Sequence, residues 1–285
     1  MQYGQDKKLN FAFWGTPDVA AETLEILKRN GYLPSLVITS PDKPQGRKMI
    51  VTPTPVKVWA IENNVPYLQP EKLEQEEIWS VLRTHNPLLF LVVAYGKIIP
   101  EKIINLPKLG SINIHYSLLP KYRGASPVES AILSGDEETG VTIQKMEYKM
   151  DTGPVVAEEK VEIGPDEKAT DLRKRLIKIG GELLVKTLPD FMNGKVTPIP
   201  QDENLATYCK KIKKEDGLVD LATEPPSTLY NKFRAYATWP RTYFFQNGKR
   251  IIITDATLEN GQFVIKKVLP EGKKEISWKE FSRQG

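Results

Sequence analysis

The chain has 285 residues, of which 40% are hydrophobic and 27% are charged, and its formal net charge is +4. These values are ordinary for a folded globular protein and exclude a disordered polymer or a fibrous repeat. The longest apolar run, residues 87–94, is too short to cross a bilayer, because a membrane-spanning helix needs about 20 residues. We therefore expect one large domain or two unequal ones, with no membrane segment.

The N-terminal residues and the cysteine content indicate a reducing compartment. No apolar stretch long enough for a secretory signal precedes Gly15 and Pro17. Cys209 is the single cysteine of the sequence, so an internal disulfide is impossible. We expect a cytoplasmic protein in which Cys209 is a small packed side chain rather than a nucleophile.

Positive charge is concentrated near the C-terminus. Residues 205–285 contain 15 Lys and Arg against 9 Asp and Glu, a net charge of +6, whereas residues 1–204 carry −2. A basic segment of this kind suits contact with a polyanion such as nucleic acid, and it is equally compatible with an ordinary solvated lysine surface.

Strands and helices alternate through the first part of the sequence. In chain order, periodicity predicts a strand at 8–14, a helix at 19–30, a strand at 34–39, helices at 56–63 and 73–84 separated by an extended piece at 65–68, and strands at 88–94 and 110–115. This alternation predicts a doubly wound α/β fold with a mainly parallel sheet. Residues 40–55 contain four prolines and Gly46, so we expect no regular element there.

The pattern changes after residue 140. The remaining predicted elements are extended segments at 141–146 and 155–163, a helix at 170–193, and β-rich pieces at 250–254, 262–268 and 275–278. Residues 198–204 are polar and contain a proline, which is typical of a linker. We therefore expect a first domain over residues 1–197 and a small β-barrel or sandwich domain over residues 205–285.

The two histidines lie in different sequence contexts. His85 follows a predicted helix and precedes Asn86 and a proline, which is typical of a polar helix end. His115 ends an apolar strand, and alternation points it and Asn113 to the same face. Ligands of open α/β sheets bind beyond the carboxyl ends of the strands. An amide and an imidazole that converge there suit a carbonyl oxygen that becomes negative, although the same pair could instead hold a loop by hydrogen bonds.

Two other segments accompany this strand end. Residues 117–126 form a predicted loop that follows His115 directly and leads into a helix. Asp151 lies in a predicted turn between two extended segments. Asp-x-Gly turns are common, so this pattern alone assigns no catalytic role to Asp151.

The sequence resembles the folate-dependent formyltransferase family over nearly its whole length. The matching stretches are FWGTPDVAA at 13–21, VVAYGKIIP at 92–100, INIHYSLLPKYRGASP at 112–127, GDEETGVTI at 135–143 and MDTG at 150–153. The ordered combination of Asn-x-His, Ser-Leu-Leu-Pro, Arg-Gly and Asp-Thr-Gly is the specific part of this match. The resemblance implies a Rossmann-like formyltransferase domain followed by a small OB-like β-barrel domain.

The resemblance also implies the chemistry of the site. It identifies Asn113, His115 and Asp151 as the catalytic residues and 10-formyltetrahydrofolate as the formyl donor. An amine would attack the formyl carbon while Asn113 and a protonated His115 stabilise the negative oxygen. Asp151 would accept the amine proton directly or through water. Neither a metal nor a covalent intermediate is implied.

The folate site follows from the same matching. It implies that the folate is bordered by Ser117, Leu118, Leu119 and Pro120, and that its pterin ring is contacted by backbone groups near Val93 and Tyr95. An apolar slot with a few backbone partners suits a flat heteroaromatic ring.

Other segments must decide the acceptor, because the tRNA, ribonucleotide and amino-sugar branches of the family share the catalytic residues. Residues 40–57 resemble the insertion loop of the tRNA branch, and residues 205–285 resemble its tRNA-binding domain. The cations that this resemblance assigns to RNA binding are Lys43, Arg47 and Lys48 in the first segment and Lys210, Lys211 and Lys213 in the second. We therefore expect a monomer that formylates methionyl initiator tRNA.

Two other functions stay open. A sugar-nucleotide N-formyltransferase would use the same catalytic residues, and an RNA-binding protein could retain an inactive catalytic scaffold. Tyr116 stands where the family pattern has a small residue or proline, and Lys43 stands where arginine is frequent, which removes a forked contact. A dinucleotide oxidoreductase fits less well, because the sequence after the first strand lacks a Gly-x-Gly-x-x-Gly pattern.

Overall fold

A computed structural model describes residues 9–46 and 49–283 of the chain. Within them the strands are β1 (Phe11–Gly15), β2 (Leu36–Ile38), β3 (Lys43–Gln45), β4 (Ile50–Thr52), β5 (Tyr67–Leu68), β6 (Leu89–Val93), β7 (Ser111–His115), β8 (Arg123–Gly124), β9 (Glu138–Lys145), β10 (Val155–Glu162), β11 (Tyr208–Cys209), β12 (Tyr243–Gln246), β13 (Lys249–Glu259), β14 (Gln262–Pro270) and β15 (Ile276–Ser277). The helices are α1 (Asp18–Arg29), α2 (Pro55–Glu62), α3 (Glu76–His85), α4 (Glu101–Ile104), α5 (Pro127–Ser134), α6 (Ala169–Met192), α7 (Pro226–Ala235) and α8 (Trp278–Ser282). None of these helices is both long and apolar enough to cross a membrane.

Seven strands form the central sheet, in the order β10-β9-β7-β6-β1-β2-β5. β1 runs parallel to β2 and β6, and β6 runs parallel to β7, whereas β9 is antiparallel to β7. The chain builds outward from β1 to β5 on one side and then returns to β6 and β7 on the other. The predicted doubly wound, mainly parallel α/β sheet is confirmed, and its topological switch point lies between β1 and β6.

The central strands are apolar throughout because layers of the protein cover both of their faces. Every residue of β1 and β6 is buried. The Trp14 ring packs against Phe90 and edge-on against Tyr95, with a centroid distance of 5.2 Å in each case. Such aromatic pairs contribute about 0.5–1.5 kcal/mol beyond their buried area. This packing gives the sheet a rigid centre.

The expectation that residues 40–55 lack regular structure is wrong. β3 and β4 form an antiparallel hairpin in which Pro44 pairs with Val51. A two-stranded ribbon tolerates the proline, because each strand leaves one edge without ladder bonds. Gly46, with φ +68°, begins the turn that reverses the chain. The count of prolines was therefore a poor guide to this segment.

Helix α6 packs closely because two glycines interrupt its apolar face. A Cβ added to Gly181 would lie 2.7 Å from the Cδ1 atom of Ile26 on α1. A Cβ added to Gly180 would lie 3.2 Å from the Cγ2 atom of Ile114 on β7. The glycine pair thus allows this helix to approach the strand that carries His115.

The chain divides into two compact units. The first comprises Met1–Pro120, Val141–Glu159 and Ile177–Leu205, and the second comprises Lys121–Gly140, Lys160–Leu176 and Ala206–Gly285. The second unit contains the antiparallel sheet β12-β13-β14-β15, as the β-rich C-terminal pattern predicts. Phe233 of α7 and Phe281 of α8 are buried in the core of this sheet. Cys209 is partly buried, and its Sγ atom donates to the Tyr122 carbonyl at 3.3 Å.

Candidate active site

Asn113 and His115 lie at the carboxyl end of β7, next to the switch point. In the sheet register Asn113 pairs with Val92 on one side and with Gln144 on the other, and His115 pairs with Thr142. Strand alternation puts both predicted side chains on one face. Asn113 is half-buried, and its side-chain amide has no hydrogen-bond partner among the residues that the structure describes. This amide is therefore available to donate to a bound molecule.

Asp151 lies beside His115, although the two residues belong to different elements. The His115 Nδ1 atom is 3.8 Å from the Asp151 Oδ2 atom, and the two side chains are only 6% and 13% exposed. Burial of this degree strengthens the electrostatic interaction between a carboxylate and a protonated imidazole. The structure thus brings together the three residues that the sequence predicts to be catalytic.

The turn that carries Asp151 is tightly constrained. A Cβ on Gly153 would lie 1.7 Å from the Lys145 carbonyl oxygen, so only glycine fits this position. The Gln144 Nε2 atom donates to the Asp151 Oδ1 atom at 2.8 Å, which leaves the Oδ2 atom to face His115. The Asp-Thr-Gly motif therefore folds the chain back against β9 and places the Asp151 carboxylate beside His115.

Thr142 holds the loop that follows His115. Its hydroxyl donates to the Ser117 carbonyl at 2.7 Å and accepts from the Leu119 N–H at 3.1 Å. Ser117 and Leu119 are buried, whereas Leu118 and Pro120 are partly exposed, and the Leu119–Pro120 peptide bond is cis. The predicted folate-contact segment is thus a fixed loop in which Leu118 has surface free for a ligand.

Tyr116 points away from this face. Alternation along β7 places it opposite to His115, and its Cε1 atom would lie 3.5 Å from a Cβ on Gly180. The glycine of α6 therefore makes room for the tyrosine ring. The departure from the family pattern at this position is accommodated by the helix rather than by the catalytic face.

Val93 and Tyr95 lie in the core of the first unit. Val93 is fully buried, and the Tyr95 carbonyl accepts a hydrogen bond from the Thr16 hydroxyl at 2.9 Å. Burial raises the pKa of Tyr95 to about 12, so the phenol stays neutral. A contact between these residues and a pterin ring would consequently use backbone atoms.

Lysines lie on the surface near the hairpin and after β11. Lys43 is exposed on β3, and Arg47 and Lys48 lie outside the described residues. The pKa of Lys97 is lowered by burial and, to a smaller extent, by the positive charge of Lys43.

Lys210, Lys211 and Lys213 are all exposed in the second unit. Within each group, neighbouring positive charges favour the binding of an anion.

Three residues of this site were missed by sequence reasoning. Thr142 and Gln144 occupy alternate positions of a buried strand, and such polar residues in an otherwise apolar VTIQ run are the signal that could have found them. Gln201 donates through Nε2 to the carbonyls of Asp151 and Gly153 at 3.0 and 2.7 Å. No local pattern predicts that contact, because 50 residues separate Gln201 from Asp151.

The chain belongs to the formyl transferase family: residues 7–188 match the formyl transferase model and residues 211–264 match its C-terminal domain model.

Individual relatives agree with this family. The methionyl-tRNA formyltransferase of Dictyoglomus turgidum is 38% identical in an alignment that covers 96% of this chain and 95% of the relative. The enzyme of the same name from Thermotoga maritima is 44% identical over 81% of this chain and 74% of its own length.

Solved structures share the fold at lower sequence identity. The methionyl-tRNA formyltransferase of Clostridium thermocellum has a TM-score of 0.61 at 17% identity, with 94% of this chain and 99% of that chain covered. An N-formyltransferase from Helicobacter canadensis, in complex with folinic acid and dTDP-3-aminofucose, has a TM-score of 0.62 at 20% identity, with 88% of both chains covered. These likenesses support the fold assignment.

Proposed function

We propose that this chain transfers the formyl group of 10-formyltetrahydrofolate to the amino group of methionyl initiator tRNA, a step of translation initiation. The convergence of Asn113, His115 and Asp151 at the end of β7 is the observation that carries the proposal. Membership of the formyl transferase family supplies the reaction class. Relatives named methionyl-tRNA formyltransferase, which are 38–44% identical, support the acceptor.

The proposed mechanism uses each of the three side chains once. As the amine nitrogen bonds to the formyl carbon, negative charge develops on the formyl oxygen. Asn113 donates its free amide N–H to this oxygen, and His115 donates from Nε2 while its Nδ1 atom faces Asp151. Asp151 accepts the proton that the amine loses, directly or through water. The bond to folate nitrogen then breaks, and that nitrogen takes up a proton.

The loop after β7 is proposed to hold the folate. Leu118 and Pro120 offer partly exposed apolar surface, while Ser117 and Leu119 fix the loop through Thr142. An apolar slot with few polar partners suits the pterin ring. Its remaining contacts would come from backbone groups near Val93 and Tyr95.

Two basic regions are proposed to bind the tRNA. The first is the β3–β4 hairpin, which carries Lys43 and, in the sequence, Arg47 and Lys48. The second begins with Lys210, Lys211 and Lys213, whose side chains are exposed. Cations that contact phosphates bind RNA in a salt-dependent way with little base recognition.

We also propose a division of the chain into two domains joined by a linker. Residues 1–197 form the catalytic domain, residues 198–204 the linker, and residues 205–285 a β-barrel tRNA-binding domain. We propose that the protein acts as a monomer in the cytoplasm. Sedimentation of the purified chain with and without tRNA measures the oligomeric state.

The acceptor is tested by comparing three substrates in separate assays. Purified protein and 10-formyltetrahydrofolate are mixed separately with methionyl initiator tRNA, methionyl elongator tRNA and a dTDP-amino sugar. We expect formyl-methionine with initiator tRNA and at least tenfold less product with the other two acceptors, about 1.4 kcal/mol of discrimination. Formylation of the amino sugar without formyl-methionine would refute the tRNA assignment.

A further inference from the structure

The backbone of Asp151 is held in an unfavourable conformation. Its φ angle is +55°, in the left-handed region that most residues other than glycine avoid. A conformation of this kind persists only where surrounding contacts enforce it. The backbone of this turn is held chiefly by Gln201 and the residues next to it.

Gln201 and its neighbours fix the backbone of the turn. One Nε2 group donates to both the Asp151 and the Gly153 carbonyls, at 3.0 and 2.7 Å. Two residues earlier, Ile199 exchanges backbone hydrogen bonds with Val155 at 2.7 and 2.8 Å. The segment 199–201 therefore runs along the turn and the start of β10, and four hydrogen bonds hold it there.

Gln144 fixes the carboxylate itself. This side chain is 98% buried, since its relative exposure is 2%, and it donates to the Asp151 Oδ1 atom at 2.8 Å. Its own Oε1 atom is buried without a hydrogen-bond partner among the described residues. An unsatisfied buried acceptor destabilises the folded protein, so an apolar side chain of similar shape would make it more stable. Stability alone does not explain a glutamine at this position.

We propose that Gln144 and Gln201 form a clamp that positions Asp151 for proton transfer. Gln201 sets the backbone of the turn, and Gln144 rotates the carboxylate so that the Oδ2 atom faces His115. Both are positioning residues that act through Asp151. The inference rests on the proposed formyl transfer, because it assigns Asp151 a proton-accepting role.

The clamp is tested by replacing each amide with a side chain of similar length. Gln144→Met and Gln201→Met remove the donors, and Gln75→Met is the control, since Gln75 is exposed and its side chain makes no capping hydrogen bond to α3. A displacement of about 1 Å can lower a rate by about 100-fold. We expect kcat to fall tenfold to 100-fold in each clamp variant, with KM for folate and tRNA changed less than twofold. The melting temperature of Gln144→Met should be unchanged or higher.

The Asp151→Asn background separates positioning from a structural role. Residues that act only through Asp151 should have no further effect on the residual rate of Asp151→Asn. The clamp alone would be overturned if the glutamine substitutions lowered the rate equally in the wild-type and Asp151→Asn backgrounds. It would also be overturned if the wild-type chain were active and both glutamine variants had a normal kcat. No formyl transfer by the wild-type chain would overturn the proposed function and the clamp with it.

Discussion

The His115 Nδ1 atom lies 3.8 Å from the Asp151 Oδ2 atom across the end of the central sheet. This separation is longer than a hydrogen bond, and it is typical of catalytic pairs that tighten only when substrate is bound. His115 is positioned by β7, whereas Asp151 is positioned by a constrained turn. Substitutions around β7 and in the turn are therefore expected to have different effects.

Replacing Asp151 by Asn should remove the proton acceptor while it preserves the shape of the site. The Asn carbonyl can still accept the hydrogen bond from Gln144. We expect kcat to fall by about 10²–10⁴, the usual contribution of a positioned acid or base. Steady-state kinetics and thermal unfolding measure the two effects. A fall in melting temperature without a fall in kcat would contradict the assigned role.

Replacing Thr142 by Val should loosen the loop that follows β7. The change removes the hydroxyl that joins the Ser117 carbonyl to the Leu119 N–H, so each of these buried groups loses a hydrogen bond. The free energy of unfolding should fall by about 1–3 kcal/mol. KM for the folate should rise more than KM for tRNA. Thr142→Ser keeps the hydroxyl, so it should behave like the wild type, and equal damage in both variants would argue against the hydrogen bonds.

Asp42 should stabilise the start of the hairpin in a pH-dependent way. Its pKa lies below the ordinary value of 3.8, chiefly because Lys57 donates a hydrogen bond to the carboxylate and secondarily because Gln69 does. A depressed folded-state pKa stabilises the protein above the unfolded pKa, and this contribution is lost as pH falls through the folded pKa. Asp42→Asn should lower the urea midpoint at pH 7, and the difference should shrink below pH 3.8. A difference that grows on acidification would contradict this account.

Replacing Lys210, Lys211 and Lys213 together by Ala should weaken tRNA binding and reduce its salt dependence. Each phosphate contact contributes about 0.7–0.9 to the slope of log Kd against log salt concentration. We expect the slope to fall by up to about 2–3. The control replaces the exposed Lys72, Lys102 and Lys108. An equal effect in the control would mean that net charge, rather than these three lysines, determines binding.

Local patterns predicted the sheet well because its strands are short apolar runs. The continuous run that became β6 indicated a strand covered on both faces, and it is fully buried. Asn113 and His115 were predictable for the same reason, since two polar residues at alternate positions of an apolar strand must share a face. Asp151 was not, because its turn looks ordinary in sequence and required the family resemblance.

The remaining contacts depend on distant parts of the chain. Gln201 reaches the catalytic turn only because residues 199–201 run along it, and sequence spacing carries no information on that. The hairpin of residues 43–52 was missed since prolines suggested an irregular loop, whereas a two-stranded ribbon leaves edges that need no N–H donors. Both the Gln201 contact and the hairpin depend on tertiary structure that local sequence patterns do not show.

The single-turnover rate of His115→Ala tests the central claim most directly. Excess enzyme is loaded with 10-formyltetrahydrofolate, mixed with methionyl initiator tRNA, and the appearance of formyl-methionine is followed. Loss of one donor to a developing oxyanion lowers a rate by about 10²–10³, so we predict a fall of at least 100-fold with folate binding retained. A rate equal to that of the wild type would contradict the assignment of Asn113, His115 and Asp151 as the formyl transfer site.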